Sequence, residues 1–257
     1  MAAQEVNLDA LIPREDFEAI DKDSSPNTIR QTLTTTDLEE GGFFYESLRK
    51  PDFQRETASW APEKVADLIK CYVAGDLIPA VILWRSQSHI FVIDGAHRLG
   101  ALIAWVHDDY GDNTRSHAYF GNVIPPEQKE AADKTRALIK KSIGTFKEHQ
   151  LASGNPSAPP ELRARAKLLG SLAVQIQWVS GDSYKAEDSF FRINQEAAPI
   201  DKTELLILRS RATPSAIAAR AIVRSATGHK YWKKSRSIRR RSKVQQLRFT
   251  RRCSNPH

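Results

Sequence analysis

At 257 residues, 40% of them hydrophobic, the chain is long enough to bury a sizeable core and fits one large domain or two small ones. No apolar run approaches the ~18 residues a membrane-spanning helix needs, and the first ten residues do not resemble a signal peptide. Two cysteines, Cys71 and Cys253, are too few for a disulfide framework or a thiolate zinc site, so a cytoplasmic protein is expected. The net charge of +7 has one source: residues 230–257 hold 11 Lys+Arg and no Asp or Glu, which leaves 27 against 31, or −4, for the rest. Polyanion binding by bulk charge therefore rests on those last residues alone.

Residues 1–42 are polar, with Thr34-Thr35-Thr36 and Gly41-Gly42 as loop signals, and predict partial strand or coil. After Phe53-Gln54-Arg55 and Trp60, Pro62 and Glu63 suit the first turn of a helix. Val65, Leu68, Ile69 and Tyr72 give that helix its apolar face, and Gly75 ends it. Two short apolar runs, 80–84 and 90–93, separated by a polar loop, predict paired strands. The second run breaks at Asp94-Gly95, strong turn chemistry, and Leu99, Leu102, Ile103 and Val106 then mark one face of a helix. Residues 107–112 read as a solvated helix end rather than a metal cluster, because their His and carboxylates lack ligand spacing. Residues 126–149 predict one charged helix, and the Pro-rich stretch from Ser153 to Pro160 an exposed connection. Helix over 162–172, strand over 174–179, a helix ending near Asn194, and two further helices opened by Asp201 and Thr213 follow. Of the five tryptophans, Trp60, Trp84, Trp105 and Trp178 are assigned to core or strand packing.

Strand, Asp-Gly turn and helix start put one carboxylate and two donors, His97 and Arg98, around a helix N-terminus. Such an end presents unpaired backbone N–H groups and the positive pole of the macrodipole. Two readings stand. Arg98 can fork onto phosphate oxygens while Asp94 positions a metal or a water, or Asp94 and Arg98 form an ion pair with His97 packed nearby.

The segments Phe53-Gln54-Arg55, Trp60, Ile78-Pro79-Ala80-Val81-Ile82-Leu83, Val92 to Leu99, Phe190-Phe191-Arg192-Ile193-Asn194 and Leu205-Leu206 resemble, in order and spacing, the N-terminal domain of GmrSD-type restriction systems. That domain is similar to the ParB/sulfiredoxin-like group. The resemblance implies an α+β fold: a small mixed sheet with flanking helices, plus a C-terminal helical subdomain. The expected divisions are a polar segment (1–42), a nucleotide-binding core (43–152), a helical subdomain completing the same domain (153–229), and a basic, disordered tail (230–257).

The resemblance also implies an NTP-binding sensor of a restriction or phage-defence system, with hydrolysis as its enzymatic form. A non-enzymatic, nucleotide-switched DNA-binding or regulatory protein is the alternative. It carries Gln54, Arg55, Asp94, Gly95, His97 and Arg98 onto the nucleotide site, with Asp94 and Arg98 as the catalytic pair and Asp94 as ligand of a divalent cation such as Mg2+. Arg192 and Asn194 are a second group facing the nucleotide; for Asn194 a helix-end cap is the other reading. DNA and a separate nuclease subunit are the implied partners, since no HNH-like part is visible. Ala96 stands where the restriction family commonly has Gln, which weakens hydrolysis if that Gln orients water.

Overall fold

The computed structural model describes residues 5–17, 30–54, 60–86, 89–197, 206–207, 210 and 213–223, with backbone only for 194–197 and 220–223. It divides the chain into two compact units, 1–200 and 201–257.

The first unit is built on a six-stranded mixed sheet. In chain order its strands are β1 (Arg14–Glu15), β2 (Thr32–Leu33), β3 (Leu48–Pro51), β4 (Val81–Arg85), β5 (Ile90–Asp94) and β6 (Val174–Trp178). In space they run β1, β3, β5, β4, β6, β2. β5 is central, parallel to β3 and antiparallel to β4, so Gln54, just past β3, and Gly95, just past β5, follow the same end of the sheet. Both edges are two-residue strands, which limits the backbone left open for pairing with another chain.

The expectation of an α+β fold with a small mixed sheet and flanking helices holds, and β5 shows why its sequence is apolar without alternation. Val92 joins the main core with Leu83 and Val81 of β4. On the opposite face Phe91 meets Trp84 and Phe17, and Phe17 meets Phe53. A strand covered on both faces has no polar side to alternate with.

The main core is closed by α2 (Pro62–Ala74) and α3 (Ala96–His107), which pack on each other, and by α5 (Pro126–Ser142), which packs on α2. Pro62 opens α2, and Gly75, at φ 78°, ends it in the left-handed conformation that glycine adopts without strain. The second face is covered by α8 (Ser183–Ala197), whose Phe190 lies 4.9 Å from Phe53. Residues 5–17 are buried into this unit through Val6, Leu8, Leu11, Ile12 and Phe17, all at most 3% exposed.

Two local expectations are corrected. The stretch after α3 is no solvated helix end, because Asp109 is 1% exposed and its carboxylate accepts from the backbone N–H of Gly111, Asp112, Asn113 and Ser116 and from the Ser116 hydroxyl. These donors outweigh burial, which by itself raises its pKa, and hold the carboxyl below its ordinary value. The turn feeds a helix, α4 (Thr114–Phe120), that no apolar period announces. The single helix expected over 126–149 breaks at Gly144, φ 96°, and restarts as α6 (Phe146–Ser153) under a Thr145/Glu148 capping box. The Pro-rich stretch is the exposed connection expected, and it joins α6 to α7 (Pro160–Leu169), which pack on each other.

In the second unit, α9 (Pro214–Val223) opens under Thr213, whose hydroxyl accepts from the Ala216 amide at 3.4 Å. The capping box at Asp201, Gly228 and residues 230–257 lie outside the described residues.

Candidate functional site

β5 ends at Asp94, Gly95 turns the chain, and α3 begins at Ala96. Gly95 sits at φ 93°, ψ 15°, a conformation costly to any residue with a Cβ. Among the described residues no side chain caps α3, and its first internal bond runs from the Leu99 amide to the Gly95 carbonyl at 2.9 Å. The amides of Ala96, His97 and Arg98 therefore have no acceptor within the helix and point out of its positive end.

Arg98 folds back over this turn. Its Nη2 donates to Asp94 Oδ2 at 2.6 Å and to the Ala80 carbonyl at 3.1 Å. Its Nε is buried and has no hydrogen-bond partner among the described residues. A Cβ on Gly95 would stand 3.0 Å from Nη2 and 3.3 Å from Nε, so the two-nitrogen edge of the guanidinium lies over the space that glycine leaves open. The ion-pair reading of Asp94 and Arg98 is thus present in the geometry. It occupies one nitrogen of the fork and leaves the other without a partner among the described residues.

His97 is partly buried, and its ring stacks on Trp60 at 5.4 Å with 13° between the planes. The Lys64 ammonium, on the first turn of α2, lies 4.6 Å from the Trp60 ring centroid. Burial, then the positive charges of Lys50, Lys64 and Arg98, push the His97 pKa down to about 4, against the smaller opposing effect of Asp94. His97 is therefore neutral at pH 7, held so by its burial and by neighbouring positive charge.

Gln54 lies on the turn after β3, is 7% exposed, and keeps Oε1 buried without a partner among the described residues. Its carbonyl accepts from Arg14 Nη1 at 2.5 Å. Arg55 lies outside the described residues. Asp94, Gly95, His97 and Arg98 are brought together by the turn itself, and Gln54 lies beyond the neighbouring strand at the same sheet end. Arg192 is exposed on α8, which packs on β5, and the Asn194 side chain lies outside the described residues.

Composition and spacing did not single out Lys50 and Lys64, nor did they place Trp60 at the site rather than in the core. Lys50 is 0% exposed, and a lysine inside a β-strand with no exposure is the signal that only burial reveals. Trp60 lies one residue before the N-cap of α2 and Lys64 in its first turn, so no helix-face spacing announces their meeting.

Among the described residues, no group of three or more His, Cys, Asp or Glu is arranged to hold a metal ion. Asp94 is one carboxylate beside a guanidinium, so these side chains alone do not build a complete cation site.

A family model described as the GmrSD restriction endonuclease, N-terminal domain, matches residues 37–209. No curated protein and no solved structure matches the chain.

Proposed function

Because the chain belongs to the family of GmrSD restriction endonuclease N-terminal domains, we propose that it is the nucleotide-binding sensor of a restriction or phage-defence system. The observation that carries this reading is the turn at Asp94-Gly95. Three helix-end amides and the Nε of Arg98, which has no partner among the described residues, meet over a glycine. That is the chemistry that receives phosphate oxygens.

In this reading the phosphates of a nucleoside triphosphate lie against the amides of residues 96–98. Arg98 supplies its Nε and Nη2 edge, Arg55 adds charge, and Gln54 Oε1 accepts a hydrogen bond from the nucleotide. Arg192 and Asn194 are a second group on the α8 side. Asp94 would be the protein ligand of a divalent cation such as Mg2+ bound with the phosphates, and the cation would supply charge neutralisation there. For hydrolysis, Asp94 and Arg98 are the catalytic pair: Asp94 orients water and Arg98 neutralises charge that develops on the transferred phosphoryl group.

A nucleotide-switched regulator without turnover is the second reading. It is favoured by Ala96, a buried residue whose side chain offers nothing to orient water. A separate nuclease subunit and DNA are the partners that either reading calls for.

Binding of ATP, GTP, CTP and UTP with Mg2+ by the purified chain, with phosphate release followed in parallel, separates the two. Turnover lost in Arg98→Ala supports the enzyme, and tight binding without turnover supports the switch. No binding of any of the four defeats both. Where binding occurs, Arg98→Ala should weaken it roughly tenfold or more, the scale of one charge-assisted hydrogen bond.

A further inference from the structure

The candidate site is held from outside the region that the family model matches. That region begins at residue 37, yet residues 5–17 form a strap along its motif segments. The Val6 amide donates to the Trp60 carbonyl at 2.8 Å, in an isolated antiparallel bridge. Leu8 packs on α3 at Gly100, where an added Cβ would meet it at 3.6 Å. Arg14, in β1, donates Nη2 to the Asp9 carboxylate at 2.9 Å and Nη1 to the Gln54 carbonyl at 2.5 Å. Asp9 in turn receives the Lys50 ammonium on its carboxylate and, at 2.9 Å, on its carbonyl, and the Tyr119 hydroxyl at 2.9 Å.

The side chains of Asp9, Arg14 and Lys50 are at most 4% exposed. Charges so far from water are costly to keep, and a well-packed apolar set would close the core as well. What this cluster does beyond closing the core is specific in direction. Arg14 spans Asp9 and the backbone of Gln54, while Lys50 acts on His97. One carboxylate on the strap thus holds both Arg14, which fixes the turn after β3, and Lys50, whose charge lowers the His97 pKa.

We propose that Asp9 and Arg14 are positioning residues for the phosphate site, and that seating of the strap and binding of nucleotide are coupled. The inference rests on the nucleotide-binding reading above. Coupling is reciprocal: if the seated strap holds Gln54 and the α3 start in their binding geometry, bound nucleotide must hold the strap.

The test uses the full chain with each of the four nucleoside triphosphates and Mg2+. Arg14→Lys keeps a cation on Asp9 but replaces a planar fork by a single ammonium that does not span both partners. It should melt close to wild type and bind nucleotide about tenfold more weakly. Tyr119→Phe, which removes one hydroxyl and no packing, should weaken binding in the same direction and by less. In wild type, saturating nucleotide should slow hydrogen exchange of the Val6 amide, and this slowing should shrink in Arg14→Lys.

A strap that is merely structural would lower the melting temperature of the variants and leave affinity and nucleotide-dependent exchange unchanged. That result overturns the proposal. Should Arg14→Lys fail to fold, wild-type affinity in Tyr119→Phe overturns it equally. A wild type that binds none of the four removes the nucleotide reading itself, and is thereby distinguished from a failure of the coupling alone.

Discussion

At Gly95 the backbone conformation and the neighbouring guanidinium impose the same residue. Gly95→Ala would force a Cβ into a left-handed conformation and to within 3.1 Å of Val81 Cγ2 as well as 3.0 Å of Arg98 Nη2. The expected cost is about 1–3 kcal/mol of stability, read by denaturant unfolding, with Arg98 displaced from Asp94. His97 gives a pH signature. Its pKa is depressed to about 4 in the folded chain against an ordinary 6.5, so the unfolded chain binds the extra proton between those values. Stability contributed by neutral His97 is complete above pH 6.5 and is lost as pH falls toward 4, by up to about 3 kcal/mol. His97→Gln removes that titration, so its melting temperature should fall less than wild type's between pH 6.5 and 4. An equal fall would show that His97 is not held neutral by its surroundings.

Elements in this chain are placed as much by the polar turns between them as by their apolar faces. Asp109 is the clearest case, because one buried carboxylate ends the α3 region and starts α4 by accepting from four amides and a hydroxyl. Asp109→Asn would turn an NH2 group toward donors, leaving buried donors unsatisfied. A loss of roughly 2–4 kcal/mol is expected in chemical denaturation, with no change in helix content of the surviving folded fraction. Arg136 on α5 fastens the same turn from outside through Asp108 at 3.0 Å and Asp112 at 2.9 Å. Those pairs are partly exposed, so Arg136→Gln should cost less than Asp109→Asn.

At the scale of the molecule, charge separates two properties. Removing residues 230–257 changes the formal charge from +7 to −4 by deleting 11 Lys+Arg. Nucleotide binding at the α3 start should be unchanged within about twofold, because the groups offered to phosphate there, the α3 amides and Arg98, belong to the body of the chain. Salt-sensitive retention of DNA should fall sharply if the whole chain shows it, since the remaining body is acidic. A deletion that weakened nucleotide binding tenfold would bring the tail into the site.

The local motif was legible from residues alone. A strand that stops at Asp-Gly, followed at once by a helical period, defines the anion-ready end of α3 because backbone conformation at such a turn is set by neighbours in sequence. The ends of α2 were legible for the same reason, through Pro62 and Gly75. What tertiary structure decided is which distant residues share that end. Parallel pairing of β3 with β5 carries Gln54 to the same sheet end as Gly95, and the buried strap brings Asp9 to Lys50 across 41 positions. No period or turn signal encodes such a meeting. It follows from burying apolar residues on both sides of one sheet, which leaves the polar groups carried along with them to find each other.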